Sequence, residues 1–336
     1  MSNPHDGRRY LVTGATGMVG AALTRRLVDE GARVRLLVRD DARLGLIGRA
    51  AGQTERVRGD VTAPESLLPA MADVTHVVHA AAALGTGRPS DRDLLLAVNV
   101  AGTAAVADAA LAAGVARLVH VSSIAALGRS GSEETIDESV VWASSPHNSL
   151  YATSKHLAEM EIHRAVAEGL DAVMVNPALV FGEAHPGENT QRIVEQVRDG
   201  RLPGVPPGGT GVVDVLDVVD GILRAMDVGK TGERYVLVSQ NLLWRDLLAT
   251  LAGALNVTPP RRMVPMPLAR ALAVGSEAVA RITGAAPVLT RERVRQMQER
   301  YRYSAAKAER DLGCTFRPFA ETATRLAQHI GAPKNL

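Results

Sequence analysis

The stretch Tyr10-Leu-Val-Thr-Gly14-Ala-Thr-Gly17-Met-Val-Gly20 constrains the fold more than any other part of the chain. Its glycines follow a short apolar run and lead into residues 19–30, whose length and Ala/Leu content are those of a helix. A strand that turns at once into a helix favours residues without a Cβ, and the first N–H groups of that helix have no partner within it. Such a junction lets backbone approach a pyrophosphate at a helix N-terminus, which makes Gly14, Thr16, Gly17, Met18 and Val19 candidate ligands of a dinucleotide. The spacing is Gly-x-x-Gly-x-x-Gly, so the usual fingerprint is met only approximately. Glycines that merely pack helix on strand are the alternative for this stretch taken alone.

Apolar, β-branched runs at 10–13, 34–39, 56–59, 76–79, 118–122 and 172–176 alternate with longer helical patterns at 19–30, 92–113 and 149–168. The helical patterns stop at Gly31, Gly114 and Gly169. Alternation of this kind predicts an α/β fold: a Rossmann-type, doubly wound parallel sheet. After Phe181, Pro and Gly accumulate through 202–211, and the remainder reads as helical with short strand candidates at 212–215 and 234–238. The expected division is a dinucleotide-binding domain over 1–182, carrying the candidate catalytic helix, and a smaller, mainly helical substrate domain over 183–336. A strand or helix of the second is free to return to the first.

Charge and composition exclude several classes. With 38 Lys and Arg against 36 Asp and Glu, the formal charge of +2 disfavours a nucleic-acid partner. Aromatics make up 3% of 336 residues, which argues against a base-stacking groove and leaves the core to aliphatic packing. The single cysteine, Cys314, rules out an internal disulfide framework and suits a reducing compartment. Residues 1–9 are polar and carry no apolar leader, so a cytoplasmic location and no transmembrane segment are expected; the most apolar long stretch, 266–282, is interrupted by Arg270, Glu277 and Arg281. His79, His120, His147, His156 and His185 show no metal-ligand spacing, and no metal is expected.

Roughly 20 residues after such a glycine loop, an acid marks a ribose of NAD and an arginine a 2′-phosphate. Arg39 holds that place and favours NADP(H), while its neighbours Asp40 and Asp41 keep NAD(H) possible. Asp60 and Val61, after the third strand, are candidates for the adenine end, with a turn-forming Asp as the alternative. Tyr151-Ala-Thr-Ser-Lys155 opens a helical segment, and its i, i+4 spacing puts phenol and ammonium on one face, about 6 Å apart at Cβ. A lysine charge there would bring a phenol, whose ordinary pKa is near 10, towards a working range.

In this setting the chain resembles the extended short-chain dehydrogenases/reductases, the NAD-dependent epimerase/dehydratase family. The resemblance rests on Thr13 to Gly20, Gly59-Asp60-Val61, His79-Ala-Ala-Ala82, Asn99-Val-Ala-Gly-Thr103, Val121-Ser-Ser123, Tyr151-x-x-x-Lys155 and Asn176-Pro-Ala-Leu-Val-Phe-Gly182, all in family order. Val38-Arg39, Gly232-Glu-Arg-Tyr-Val-Leu and Ser304-Ala-Ala-Lys307-x-x-x-x-Leu-Gly313 place it nearest the dihydroflavonol-reductase-like and hopanoid-associated sugar-epimerase-like branch. The resemblance implies that Tyr151 donates or accepts the proton, Lys155 holds the nicotinamide ribose and tunes Tyr151, and Ser123 binds the substrate oxygen. It also implies that Ser122, Pro177 and Val180 border the nicotinamide, that Ala80, Ala81 and Ala82 line the dinucleotide bridge, and that Asn99 is structural. Asn176 stands where the family's motif begins Arg-Pro.

The implied activity is reduction of a ketone or aldehyde, or the reverse, with NADP(H). A nucleotide-sugar epimerase or dehydratase holding NAD competes with it, its diphosphate served by Arg192, Arg198, Arg201, Arg261 or Arg262; a non-catalytic dinucleotide sensor is the third reading. A homodimer through the helices at 92–113 and 149–168 is expected from the family. The pocket is expected to be lined from loops 84–91, 128–148 and 183–190. The basic segment 259–310 carries Leu268, Ala271, Leu272, Ala278, Val279 and Ile282 near helical spacing, and is expected to pack on the substrate pocket, a lipid-facing surface being the alternative. Asp214 and Asp217 are expected to cap a helix.

Overall fold

Among the described residues twelve strands follow in chain order: β1 (Arg9–Thr13), β2 (Arg33–Val38), β3 (Glu55–Arg58), β4 (His76–His79), β5 (Arg117–Val121), β6 (Thr135–Ile136), β7 (Ala172–Pro177), β8 (Leu179–Phe181), β9 (Gly209–Asp214), β10 (Arg234–Leu237), β11 (Gln240–Leu243) and β12 (Arg302–Tyr303). The computed structural model describes residues 5–39, 41–85, 88, 90–129, 135–145 and 147–330, with backbone alone for Asp41, Ala42 and Asn189. Seven strands form one parallel sheet in the order β10-β7-β5-β4-β1-β2-β3. The chain winds outward through β2 and β3, then crosses to the other side of β1 for β4. The carboxyl ends of β1 and β4 therefore flank the switch point where sheets of this kind bind ligands.

The strands read as continuous apolar runs because each feeds two cores, alternate residues pointing to opposite faces. Tyr10 and Val12 join Leu36, Val78, Val119 and Val175 beneath the helices Met18–Asp29 and Val215–Val228. Leu11 joins Leu37, Val77, Leu118 and Met174 on the other face, under the helices Gly102–Ala112 and Leu150–Ala167. The six expected strands lie within a residue of their expected starts and ends. The candidate at 234–238, read as part of the second half, instead adds the seventh strand beside β7. Its Tyr235, Val236 and Leu237 are fully buried, and Leu237 packs so closely on Gly221 that a Cβ there would lie 2.7 Å away.

The helix expected at 92–113 is three pieces: Asp91–Leu95, a π-helical turn Leu96–Ala101, and Gly102–Ala112. By length and composition Asp91–Ala112 is the one stretch among the described residues apolar enough to span a bilayer; here Val106, Ala107 and Ala110 are fully buried against the sheet. A second lobe holds the sheet β11-β9-β8 and a core in which Phe181 meets Phe319 edge-on at 4.9 Å. β8 and β11, of three and four residues, were not expected from the sequence. Asp214 caps the helix Val215–Val228, accepting from the Leu216 N–H at 2.8 Å, whereas Asp217 does not cap: it accepts from the Arg317 backbone N–H at 2.8 Å and its guanidinium.

The segment expected to pack on the substrate pocket does supply part of its wall, through Glu277, Ala280 and Arg281 of the helix Met266–Thr283, but the apolar stripe is not the side this helix buries. Only Ala269, Ala273 and Ala280 are buried on its inner side, while Leu268, Leu272, Val279 and Ile282 are exposed. Periodicity located the apolar stripe but did not say which side the rest of the molecule would cover.

Candidate active site

The glycine loop closes tightly over the switch point. Gly14 has φ +68°, and a Cβ there would sit 2.5 Å from the Ala81 nitrogen and 2.6 Å from the Ala80 carbonyl. At Gly20 a Cβ would lie 2.3 Å from the Gly14 oxygen. Only glycine lets strand, turn and helix meet this closely. Gly17 is the N-cap of the helix Met18–Asp29; no side chain caps it and no acid occupies the first turn, so the positive helix end is left for an anion. These features fit a dinucleotide pyrophosphate. Thr16 and Val19 are half-buried and Gly17 is exposed, whereas Met18 turns into the core. His185 reaches back to the loop, donating from Nε2 to the Thr16 carbonyl at 3.1 Å.

Arg39 is exposed directly after β2 and makes no ion pair among the described residues. Asp40 and the Asp41 side chain, the alternative acids, lie outside the described residues. Asp60 spends one carboxylate oxygen on a turn, accepting from the Thr62 N–H at 2.9 Å and its hydroxyl at 2.8 Å. Val61 is buried against Gly102, so its side chain belongs to the core and only its backbone can meet a ligand. Ala80, Ala81 and Ala82 leave β4 beside Gly14, the Ala80 N–H bonded to the Thr13 carbonyl at 3.2 Å. Pro177 ends β7 and Val180 lies within β8, at the same carboxyl edge.

Tyr151 stands in the first turn of the helix Leu150–Ala167, whose N-cap Ser149 accepts from the Ala152 N–H at 2.9 Å. The Ser123 side chain lies beside the phenol; burial raises the phenol's pKa, and Ser123 lowers it. Ser123 follows β5, its Oγ accepting from the Ala125 N–H at 3.2 Å at the start of a 3₁₀ turn. Thus the hydroxyl and the phenol arrive from different elements and meet at one point.

Lys155, one turn on, is 1% exposed, and its ammonium donates to the Val121 carbonyl at 2.9 Å with His120 Nε2 at 3.5 Å. Burial pushes it down to about 8, while the Glu159 carboxylate pulls the other way. The ammonium is engaged with β5, which departs from the expected direct tuning of Tyr151. The floor beneath it was not foreseen. His79, held by Thr13 at 2.7 Å and Thr103 at 3.0 Å, lies ring to ring with His120 at 5.2 Å. Burial, then the Lys155 charge, keeps both imidazoles neutral, His79 at about 3 and His120 well below its usual value.

Ser122 donates its hydroxyl to Glu159 at 2.5 Å, within a buried network. Glu159, 1% exposed, also accepts from Asn176 Nδ2 at 2.5 Å and Arg234 at 3.3 Å, and Asn176 donates to the Ser123 carbonyl at 3.0 Å. Arg234 thus brings a guanidinium from β10 to the same carboxylate that Asn176 bonds. A signal for Glu159 was present, since Tyr151, Lys155 and Glu159 continue one i, i+4 face. Asn99, in the π-helical turn, holds the loop after β4 to the catalytic helix, bonding Ala83 N–H at 2.7 Å, Ala83 carbonyl at 3.0 Å and Ser154 Oγ at 2.9 Å.

A cavity of about 500 Å³ opens on Tyr151. Its near wall is Leu84, Gly85 and Leu95, as the loop at 84–91 suggested; its far wall comes from 277–296 rather than from 183–190. Its cations are Arg88, Arg281 and Arg293, and not those proposed at 192, 198, 201, 261 and 262. Among the described residues no three His, Cys, Asp or Glu gather as metal ligands.

A parallel sheet with a glycine cradle at its switch point and a Ser-Tyr-Lys set on the adjoining strand and helix defines a dinucleotide-dependent enzyme of the extended short-chain dehydrogenase/reductase type. Residues 10–237 match the model of the NAD dependent epimerase/dehydratase family, and the chain belongs to that family. Among its relatives is a Synechocystis protein provisionally named dihydroflavonol 4-reductase, 33% identical over 90% of this chain and 89% of the relative. Another is sterol demethylase protein B of Methylococcus capsulatus, 30% identical over 94% and 95%. The crystal structure of gox2253 is similar with a TM-score of 0.83 and 32% identity, covering 97% of this chain and 99% of that one.

Proposed function

We propose that this chain is an NADP(H)-dependent reductase of an apolar ketone or aldehyde, or runs the reverse oxidation. The observation that carries the reading is Tyr151, which has the Ser123 side chain beside it and opens on a cavity of about 500 Å³. A bound reduced nicotinamide supplies a hydride to the carbonyl carbon. Tyr151 Oη gives its proton to the carbonyl oxygen, and Ser123 Oγ donates a hydrogen bond to the same oxygen as charge develops on it. Lys155 holds the cofactor ribose from a position fixed by the Val121 carbonyl, and the N-terminus of the helix that carries Tyr151 favours the phenolate after proton transfer.

Gly14, Thr16, Gly17, Met18 and Val19 hold the pyrophosphate mainly through backbone, and Arg39, exposed and unpaired among the described residues, meets a 2′-phosphate. Asp60 and the Val61 backbone border the adenine, and Ala80, Ala81, Ala82, Pro177 and Val180 border the rest of the cofactor. In this reading residues 1–182 supply cofactor and catalytic groups and 183–336 the substrate wall. The relatives' names, one a reductase and the other a sterol demethylase protein, support an apolar substrate. We also propose a cytoplasmic homodimer through the helices Asp91–Ala112 and Leu150–Ala167, which expose Leu94, Leu157 and Met160. Burial of Cys314, which raises its thiol to about 11, suits that compartment.

Arg281 and Arg293 at the cavity favour one second reading, an NAD-dependent nucleotide-sugar epimerase or dehydratase whose substrate diphosphate they would bind. Parallel titration with NADPH and NADH, on the wild type and Arg39→Asp at one ionic strength, separates the two. NADPH preferred by about tenfold or more, with the preference lost in Arg39→Asp, supports the reductase, a tenfold ratio being about 1.4 kcal/mol. NADH preferred, or NAD retained through purification, supports the epimerase.

A further inference from the structure

His120 is 0% exposed, and its Nδ1 has no hydrogen-bond partner among the described residues. It stands in the middle of the sheet, on β5 between His79 of β4 and Met174 of β7. Leu118, two residues before it, shares its face and belongs to the aliphatic core there. An aliphatic side chain at such a place would strand no polar atom, whereas a buried ring N–H without an acceptor is costly. What the imidazole supplies lies at its other nitrogen, where Nε2 faces the Lys155 ammonium at 3.5 Å.

The protonation of this row follows from its partners. The Thr103 hydroxyl gives its proton to the Asn99 carbonyl at 2.6 Å, so towards His79 Nε2 at 3.0 Å it can only accept. His79 therefore carries its proton on Nε2, and its Nδ1 accepts from the Thr13 hydroxyl at 2.7 Å. Both nitrogens are engaged, and the neutral ring is a fixed wall beside His120, 5.2 Å away between centroids. A charged ammonium has only donors, so His120 Nε2 accepts from Lys155 and the His120 proton lies on Nδ1.

Lys155 Nζ has three N–H bonds to place. One goes to the Val121 carbonyl at 2.9 Å and one to His120 Nε2, and no other acceptor holds it among the described residues. With a single anchor the ammonium could turn about the N–H···O axis; with two, the tetrahedral nitrogen fixes the direction of the third N–H. We propose that His120 is a positioning residue of the cofactor site: its Nε2 lone pair and the Val121 carbonyl together hold the Lys155 ammonium so that the third N–H is left for the nicotinamide ribose. The inference rests on the reading that Lys155 holds that ribose. Around the ammonium, His79 and His120 face it from β4 and β5, and Tyr151 and Glu159 share its helix, Glu159 being the one carboxylate.

The test is calorimetric titration of the full chain with whichever of NADPH and NADH the wild type binds more tightly. It compares the wild type, His120→Leu and His120→Gln from about pH 6.5 to about pH 9.5. Leucine removes the acceptor and keeps the site apolar, whereas glutamine returns an amide oxygen. His120→Leu is expected to bind the dinucleotide about tenfold or more weakly, because a hydrogen bond to a charged group is worth at least about that factor. His120→Gln is expected to stay within about threefold of the wild type. Affinity is expected to fall as the lysine loses its charge, and in His120→Leu to begin falling about one pH unit lower, since no lone pair there favours the ammonium. A side chain that merely filled the core would not move that pH, nor would an amide rescue its loss. Equal binding by the wild type and His120→Leu, equal weakness of the two variants, or an unmoved pH dependence overturns the proposal and leaves the cofactor reading standing. A wild type that binds neither dinucleotide overturns that reading and the proposal with it. Should His120→Leu fail to fold, nitrogen NMR of the histidine-labelled wild type carries the test. A proton on His120 Nδ1 alone is expected, and a proton on Nε2 overturns the proposal.

Discussion

Lys155→Met tests the electrostatics beneath the site through stability alone. Lys155 is 1% exposed, and burial holds its ammonium down to about 8 against an ordinary value of 10.5. At 1.36 kcal/mol per pKa unit, the charged form is disfavoured in the folded chain by about 3 kcal/mol. Because the folded pKa lies below the unfolded one, the unfolded chain binds more protons between the two values, and stability rises with pH through that window. Below about pH 8 the lysine is charged in both states and the cost is present in full. Methionine fills similar volume and does not titrate. Between about pH 7 and about pH 9 the wild type should therefore gain about 1.3 kcal/mol relative to Lys155→Met. In urea unfolding at both pH values this is a relative midpoint shift of about 0.4 M for a slope near 3 kcal/mol/M. Groups that titrate alike in both chains cancel in the difference. A gap that stays constant with pH would refute the claim that Lys155 carries a depressed pKa in the fold.

Gly14→Ala should abolish dinucleotide binding and lower stability by about 3 kcal/mol, because the new Cβ meets backbone rather than a movable side chain and sits at positive φ; intact binding in a calorimetric titration would contradict this. Arg234→Met should destabilise the chain by about 3 kcal/mol, leaving the Glu159 carboxylate buried with only neutral donors, and adding Glu159→Gln should restore more than half of the loss. Urea unfolding of the single and double variants measures this, and additive losses would mean that the two groups do not act as a pair.

Much of the architecture was legible because glycine punctuation and apolar period act within one segment. The six strands, the glycine cradle and the Tyr151–Lys155 face all follow from local rules. What escaped reading depends on pairing between distant segments. No local signal tells β10 that it belongs beside β7, or Arg234 that it answers the carboxylate of Glu159. His79 and His120 looked like stray polar residues in apolar strands; they are one row across β4 and β5, each facing its neighbour through the register. Ser122 and Ser123, adjacent in sequence, point to opposite sides of the strand end, so one serves the buried network and the other the phenol. The helix Met266–Thr283 shows the same limit, since period reveals a stripe and only the fold shows which side stays uncovered.

The most direct measurement is the reduction of an apolar ketone by NADPH, compared between the wild type and Tyr151→Phe, with NADPH affinity measured alongside. The account predicts a fall in kcat of about a hundredfold to ten-thousandfold with NADPH affinity within about threefold, because the phenol's proton is used only in the chemical step. Turnover by Tyr151→Phe close to that of the wild type would contradict the assignment of Tyr151 as the proton donor.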